Sequence, residues 1–463
     1  MPRIKADLIL THGYVITMDP ERRIIKDGAV AVICGRIFGV GDTEEILRAF
    51  DGPQYDAKGG VVHPGLIDAH EHVGQHLTRG FEPDTFSVYD TWTKFECYEF
   101  PNIDAAFERA GVRLAMLEMA KNGTTCFADT GSLFYMDASI DALNECGIRG
   151  IVGAIGGDMF QPELSFLSGS TDALLSRMEE NLRKYGKKSR RRVYAGCELC
   201  GMGDCSDALV LGAKEIAKVQ GETLFMHQAV YQSEFDQYMA RYGASPVRHL
   251  FDIGVLDPRT ALVHMIHLTD EDVRIMAETG ASAVHCPAAS LKFALGAASI
   301  GKFPEMNAAG VPIALGTDSG TWADALDVFQ LIYLAATIHR EARREMLPLN
   351  TFRAFEMATI EGARVLGLDH EIGSLEIGKE ADIVIHATDL PECHSPFDLL
   401  TSLVYAARSK SVKDVLVHGE WIVKDRKAVR VDEEKIFAET DREAARFAEK
   451  SGYRIHSPWP VSG

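Results

Sequence analysis

Residues 66–72 read Leu66-Ile67-Asp68-Ala69-His70-Glu71-His72, an apolar run that closes on two histidines one residue apart. Side chains alternate faces along a strand, so His70 and His72 point the same way and can grip one metal ion from a rigid backbone. A strand end can also carry two histidines by chance. Three further apolar runs decide against chance, because they contain or end on His227, His264 and Asp318. Three imidazoles and one carboxylate suit a divalent metal with one position left open for water, whose pKa such an ion lowers toward neutrality. The expected ligands are His70, His72, His227 and Asp318. His264 is placed to polarise the heteroatom on the electrophilic carbon or to contact the hydroxide, and Asp318 doubles as acceptor of the attacking water's proton.

These residues need a scaffold that brings them together. From Val62 to Gly367, strand-like runs alternate with amphipathic helical stretches, the pattern of a parallel βα fold. The runs are 65–72, 124–129, 150–155, 193–200, 223–230, 261–267, 281–286 and 312–318, the set of strands that a TIM barrel requires. Helical spacing predicts helices over 103–122, 207–219, 234–250 and 270–279, with Ser206 and Thr269 as N-caps. Phe352, Phe355, Ala358, Ala363 and Leu366 predict one more helix after the last run. Active sites of such barrels lie at the C-terminal ends of the strands, so the candidate ligands converge on one rim. Residues 4–60 and 381–423 instead show short alternating strands separated by turns. The expected organisation is α/β: a (β/α)8 TIM barrel over 62–367, with a small β-sandwich domain built from both chain ends, 1–61 and 368–463.

Composition narrows the function classes. With 463 residues, 46% of them apolar, the chain can bury a large core. A formal charge of -19 argues against nucleic-acid or anionic-membrane partners, which require a basic face. No apolar h-region opens the chain and no run of about 18 apolar residues occurs, so a cytoplasmic enzyme is expected. Nine scattered cysteines fit a reducing compartment. Cys197, Cys200 and Cys205 lack further nearby ligands to complete a zinc site and read as thiols.

The ordered motifs resemble the amidohydrolase superfamily, in its branch of cytosine and guanine deaminases and chlorotriazine hydrolases. They are Pro64-Gly65-Leu66-Ile67-Asp68-Ala69-His70-Glu71-His72, Gly123-Thr124-Thr125, His227, Val263-His264, Ala281 to Pro287, Leu315-Gly316-Thr317-Asp318 and the closing Ile372 to Asp382. The resemblance implies hydrolysis by metal-activated water. Two-metal relatives carry a carboxylated lysine at the end of strand four; the run 193–200 has none, so one divalent ion is expected, zinc first, with iron, cobalt or manganese as alternatives.

Deaminases and triazine hydrolases of this branch also carry a glutamate three residues after the strand-five histidine, where Val230 stands here. A valine moves no proton. Glu234 either deputises or is a solvated helix-start residue. The loss favours hydrolysis of a urea-, carbamate- or thiocarbamate-like C–N or C–S bond, which needs no ring-nitrogen protonation, and makes phenylurea hydrolases and molinate hydrolase the nearest comparison. The alternatives are an aminohydrolase of a purine, pyrimidine or triazine and a triazine chlorohydrolase. A non-catalytic binding protein on the same barrel would have no need of the complete ligand set.

Four further residues are candidate substrate contacts: Gln75, Glu234, His285 and Trp92. For His285 a core role is the competing reading, and for Gln75 a solvated loop. The loop after the first run is rich in aromatics, from Phe81, Phe86 and Tyr89 through Trp92 and Phe95 to Tyr98 and Phe100. These predict a small, neutral, apolar or aromatic substrate, or else a loop core or subunit interface, and a homo-oligomer is expected.

Overall fold

In the computed structural model, residues 2–82, 86–87, 91–201, 203–346, 349–394, 397–452, 454, 457, 459 and 460 are described, residues 92–94 and 98 by their backbone alone. The barrel strands are β1 (Leu66–Glu71), β2 (Thr124–Asp129), β3 (Arg149–Val152), β4 (Val193–Ala195, resumed as Cys197–Gly201), β5 (Leu224–Gln228), β6 (Thr260–His264), β7 (Ser282–His285) and β8 (Ile313–Leu315). All pair in parallel in chain order. β4 is broken at Gly196: its first half pairs with β3 and its second with β5. The ring closes where the Asp318 amide donates to the His70 carbonyl at 2.9 Å. At Gly316 an added Cβ would lie 2.5 Å from the His70 Cβ, so this closure requires glycine.

Several helices depart from their predicted bounds for local reasons. The stretch 234–250 forms two helices, Gln232–Tyr242 and Pro246–Asp252. Gly243 ends the first in the left-handed region, at φ 68°, and Ser245-Pro246 starts the second. Likewise 352–366 divides into Thr351–Met357 and Ile360–Val365. The predicted caps form: Ser206 accepts from the Leu209 amide, and Thr269 makes a reciprocal capping box with Asp272.

The two chain ends join in one β domain through main-chain hydrogen bonds. Ile383–His386 runs antiparallel to Val61–Pro64, which leads directly into β1. The resulting nine-stranded sheet carries Val412–Val417, Glu420–Lys424 and Lys427–Ala428 on one side, and Leu8–Ile16, Ile24–Ile33 and Arg36–Asp42 on the other. Leu10, Val30 and Ile37 share a core with Ile383, Ile385 and Leu416. A bidentate ion pair, Arg149 to Asp382 at 2.6 and 2.9 Å, ties the start of β3 to this sheet.

The tail adds an element that was not expected. Helix Glu433–Ser451 packs along helix Ala105–Lys121, with Phe447 stacked on Phe107 at 4.3 Å and within 5.7 Å of Phe81. It thereby braces the loop that follows β1. Among the described residues, no helix is long and apolar enough to cross a membrane. Phe447→Ala should lower stability by about 3 kcal/mol, as large-to-small changes at buried aromatic sites do; denaturant unfolding of the variant against the parent protein checks this.

Candidate metal centre and substrate cavity

Strand alternation places His70 and, one residue beyond β1, His72 toward the barrel mouth. His227 faces the same point from β5, and its ring Nε2 lies 3.1 Å from that of His72. Asp318 approaches from beyond β8, its Oδ1 3.6 Å from His70 Nε2 and 3.8 Å from His72 Nε2. Ligand atoms of His70, His227 and His264 all lie within 4.8 Å of one another. The expected ligands and His264 are therefore brought together in one cluster.

His264 reaches this cluster by an irregular route. β6 pairs with β5 so that His264 stands opposite Gln228, and with β7 so that His264 follows the Val263–Val284 pair. That register assigns His264 to the outward parity. Its φ of 75°, a left-handed conformation disfavoured for a side chain of this size, turns the ring into the mouth instead. Asp318 is held similarly, at φ 70°.

Metal binding fits the donor set. His70 Nε2 and Asp318 Oδ2 are buried without a hydrogen-bond partner. Burial, together with the neighbouring His227 ring, holds the His70 imidazole well below its ordinary pKa, and burial does the same at His72 and His264. The rings are neutral near pH 7, the form that binds a metal. His227 Nδ1 donates to the Cys200 carbonyl at 2.7 Å, which leaves a bare Nε2 lone pair facing the cluster. His70 Nδ1 lies 2.8 Å from Thr130 Oγ1. Behind Asp318, the Asp68 carboxylate accepts from the Thr317 amide at 3.0 Å and from its hydroxyl at 2.5 Å, which fixes the turn that carries Asp318.

A cavity opens above the cluster. His72, His227, His264 and Asp318 form its floor. Phe100, Ile155, Phe160, Leu164 and Leu167 supply apolar wall, and Trp322 closes another side. Two acids also line it. Burial pushes Asp204 up to about 7, and burial with Glu82 and Glu99 nearby holds Glu96 well above the usual carboxylate range.

The candidate substrate contacts divide. Gln75 is nearly buried and lines the cavity. Glu234 does not: its carboxylate accepts from Gln228 Nε2 at 2.6 Å and from the Ala229 and Val230 amides at 2.9 and 2.7 Å, so it braces the turn after β5. It is buried rather than solvated. His285 faces away from the mouth, stacked on Phe303 at 3.7 Å with its Nε2 3.2 Å from that of His339 on helix Val328–Arg343. The side chains of Trp92 and Tyr98, and the whole of Tyr89, lie outside the described residues. Of the remaining loop aromatics, Phe100 lines the cavity, while Phe81, Phe86 and Phe95 pack on one another. Glu96, Asp204, Thr130 and Trp322 were not singled out from sequence. Thr130 alone had a readable signal, since it directly follows the β2 run.

The family model for the amidohydrolase family matches residues 61–422. The chain belongs to the amidohydrolase family. This amidohydrolase is a metal-dependent enzyme acting on non-peptide C–N bonds of small molecules. It is 30% identical to 5-methylthioadenosine/S-adenosylhomocysteine deaminase of Syntrophobacter fumaroxidans over 93% of its own length and 96% of the relative's. With the 5'-deoxyadenosine deaminase of Methanosarcina mazei it shares 31% identity over 98% and 100% of the two chains. A crystal structure of an adenosine deaminase from Xanthomonas campestris with bound zinc superposes with a TM-score of 0.89 at 27% identity, covering 97% of this amidohydrolase and all of that chain.

Thr130→Val should weaken metal affinity roughly 10- to 100-fold, because it frees the His70 ring from its supporting hydroxyl. Chelator competition with metal quantified by mass spectrometry measures the change.

Proposed function

We propose that this amidohydrolase removes the exocyclic amino group of an adenosine-type nucleoside whose 5' end is apolar. The cavity carries this reading: its floor is the metal-binding cluster, and much of its wall is apolar. The curated relatives aligned over nearly the full chain are named for 5-methylthioadenosine, S-adenosylhomocysteine and 5'-deoxyadenosine, of which the first and last end in such groups. Both facts favour the aminohydrolase alternative over urea, carbamate or thiocarbamate hydrolysis as the main activity.

A divalent ion, zinc first, would be held by His70, His72, His227 and Asp318, where it would supply Lewis acidity and an acidified water. The chain's own groups do the rest. Asp318, with one buried oxygen unpartnered, takes the proton of the attacking water and hands it to the departing nitrogen. His264, its Nε2 3.7 Å from Asp318 Oδ2, steadies the oxygen added to the ring carbon. The apolar wall at Phe160 and Leu164 holds the 5' group and keeps bulk water from the ring. We place the enzyme in the cytoplasm and expect it to act as a homo-oligomer.

One observation favours a second reading. Val230 is buried, with its amide committed to Glu234, so the proton that ring-nitrogen chemistry demands cannot come from that position. Carbonyl hydrolysis would not require it.

Metal-loaded protein should release ammonia from 5'-methylthioadenosine and 5'-deoxyadenosine, with kcat/KM at least about tenfold above that for adenosine, the scale on which an apolar pocket discriminates. Amine or thiol from N-aryl ureas and thiocarbamates, without ammonia from the nucleosides, would overturn the proposal in favour of the second reading.

A further inference from the structure

Deamination at a purine ring carbon needs a proton on the adjacent ring nitrogen as the water oxygen adds, and the position after β5 offers only Val230 and the fully engaged Glu234. An acid must therefore enter the cavity from another element. We infer that Glu96, on the helical turn Thr91–Glu96 of the loop after β1, is the proton donor to the substrate ring. The inference rests on the deaminase reading and supplies the catalytic group that reading lacks.

Three observations carry it. Glu96 lines the same cavity as His72, His227, His264 and Asp318, although it comes from a loop that contributes no metal ligand beyond His72. Its carboxyl is almost buried, at 8% exposure, and Trp322 Nε1 donates to Oε1 at 3.3 Å, so one oxygen is fixed from the strand-eight side of the mouth. Its charged surroundings are acidic or neutral: Glu82 and Glu99 from its own loop, Asp318 beyond β8, Tyr231 beyond β5 and Cys200 at the end of β4. Burial and these acidic neighbours favour its protonated form. Asp204, the other acid on the wall, is engaged by the Cys200 thiol, and Asp318 is not among the charges that act most strongly on it.

The step balances as follows. The Glu96 carboxyl gives its proton to the ring nitrogen while the water oxygen bonds to the amino-bearing carbon and Asp318 takes one water proton. The carbon–nitrogen bond then breaks, ammonia leaves with the proton from Asp318, and the added hydroxyl returns its proton to Glu96 as it becomes the ring carbonyl. The ring nitrogen keeps the proton that Glu96 supplied.

Glu96→Gln is the decisive variant, because the amide oxygen can still accept from Trp322. On metal-loaded enzyme it should lower kcat for nucleoside deamination roughly 100- to 10,000-fold with little change in KM. A donor acts in its protonated form, so wild-type activity falls as pH rises through the Glu96 ionisation; residual activity of E96Q should lack that alkaline limb. Difference infrared spectroscopy of the wild type near pH 7 should show a protonated carboxyl band that E96Q loses. Should E96Q fail to fold, Glu96→Asp takes its place, and an alkaline limb left where the wild type has it, with unchanged kcat, overturns the inference. Unchanged deamination by E96Q, or a comparable loss in Asp204→Asn with E96Q active, overturns the inference alone. No ammonia from any aminopurine nucleoside with the wild type overturns the deaminase reading and the inference together.

Discussion

Imidazole lone pairs repel when they are buried facing one another, and this structure points several at a single place. His72 and His227 meet nitrogen to nitrogen, His70 Nε2 and Asp318 Oδ2 have no hydrogen-bond partner, and the rings of His70, His227 and His264 are buried. Such a cluster is tolerable only with a cation between its members. The surrounding structure holds it open: the Asp318 amide on the His70 carbonyl, Asp68 beneath Thr317, the Cys200 carbonyl behind His227 and Thr130 behind His70. These contacts come from different strands, so the geometry of the centre depends on closure of the whole barrel.

Strand ends made much of this legible in the sequence. His70, His72, His227 and Asp318 each terminate or nearly terminate an apolar run, and parallel pairing in chain order brings such termini to one rim. His264 and His285 each lie late in an apolar run and end the strand that carries them, and strict alternation sends both outward. A left-handed backbone at His264 separates them, and no local residue pattern announces it. Glu234 was opaque for a different reason. Its role depends on the free amides of the turn after β5, and those become visible only once the chain is folded. Glu96 lies within an aromatic stretch whose spacing suggests packing, and its entry into the cavity depends on a loop conformation fixed by distant partners.

Those partners couple the wall of the cavity to the far end of the chain. Phe447 on the last helix touches Phe107 and Phe81, and Phe81 packs on Phe95, the neighbour of Glu96. Arg446 adds a bidentate contact with Asp104, the N-cap of helix Ala105–Lys121. Among the described residues, Phe100, Ile103, Phe107, Leu164 and Phe447 form a small satellite core beside the cavity. A rigid wall suits a reaction in which a proton donor must be held at a fixed height above the ring carbon.

The antiparallel pairing of Val61–Pro64 with Ile383–His386 has a consequence for how the molecule is made. On the ribosome, the first strands emerge with their apolar faces exposed long before the strands that complete their sheet have been synthesised. The barrel lies wholly between the two partners, so its strands can pair while the amino-terminal segment still waits. Such late, distant pairing slows assembly and leaves an unpaired strand edge open in the meantime. The nascent chain is therefore most vulnerable to self-association in the interval between completion of the barrel and arrival of residue 383.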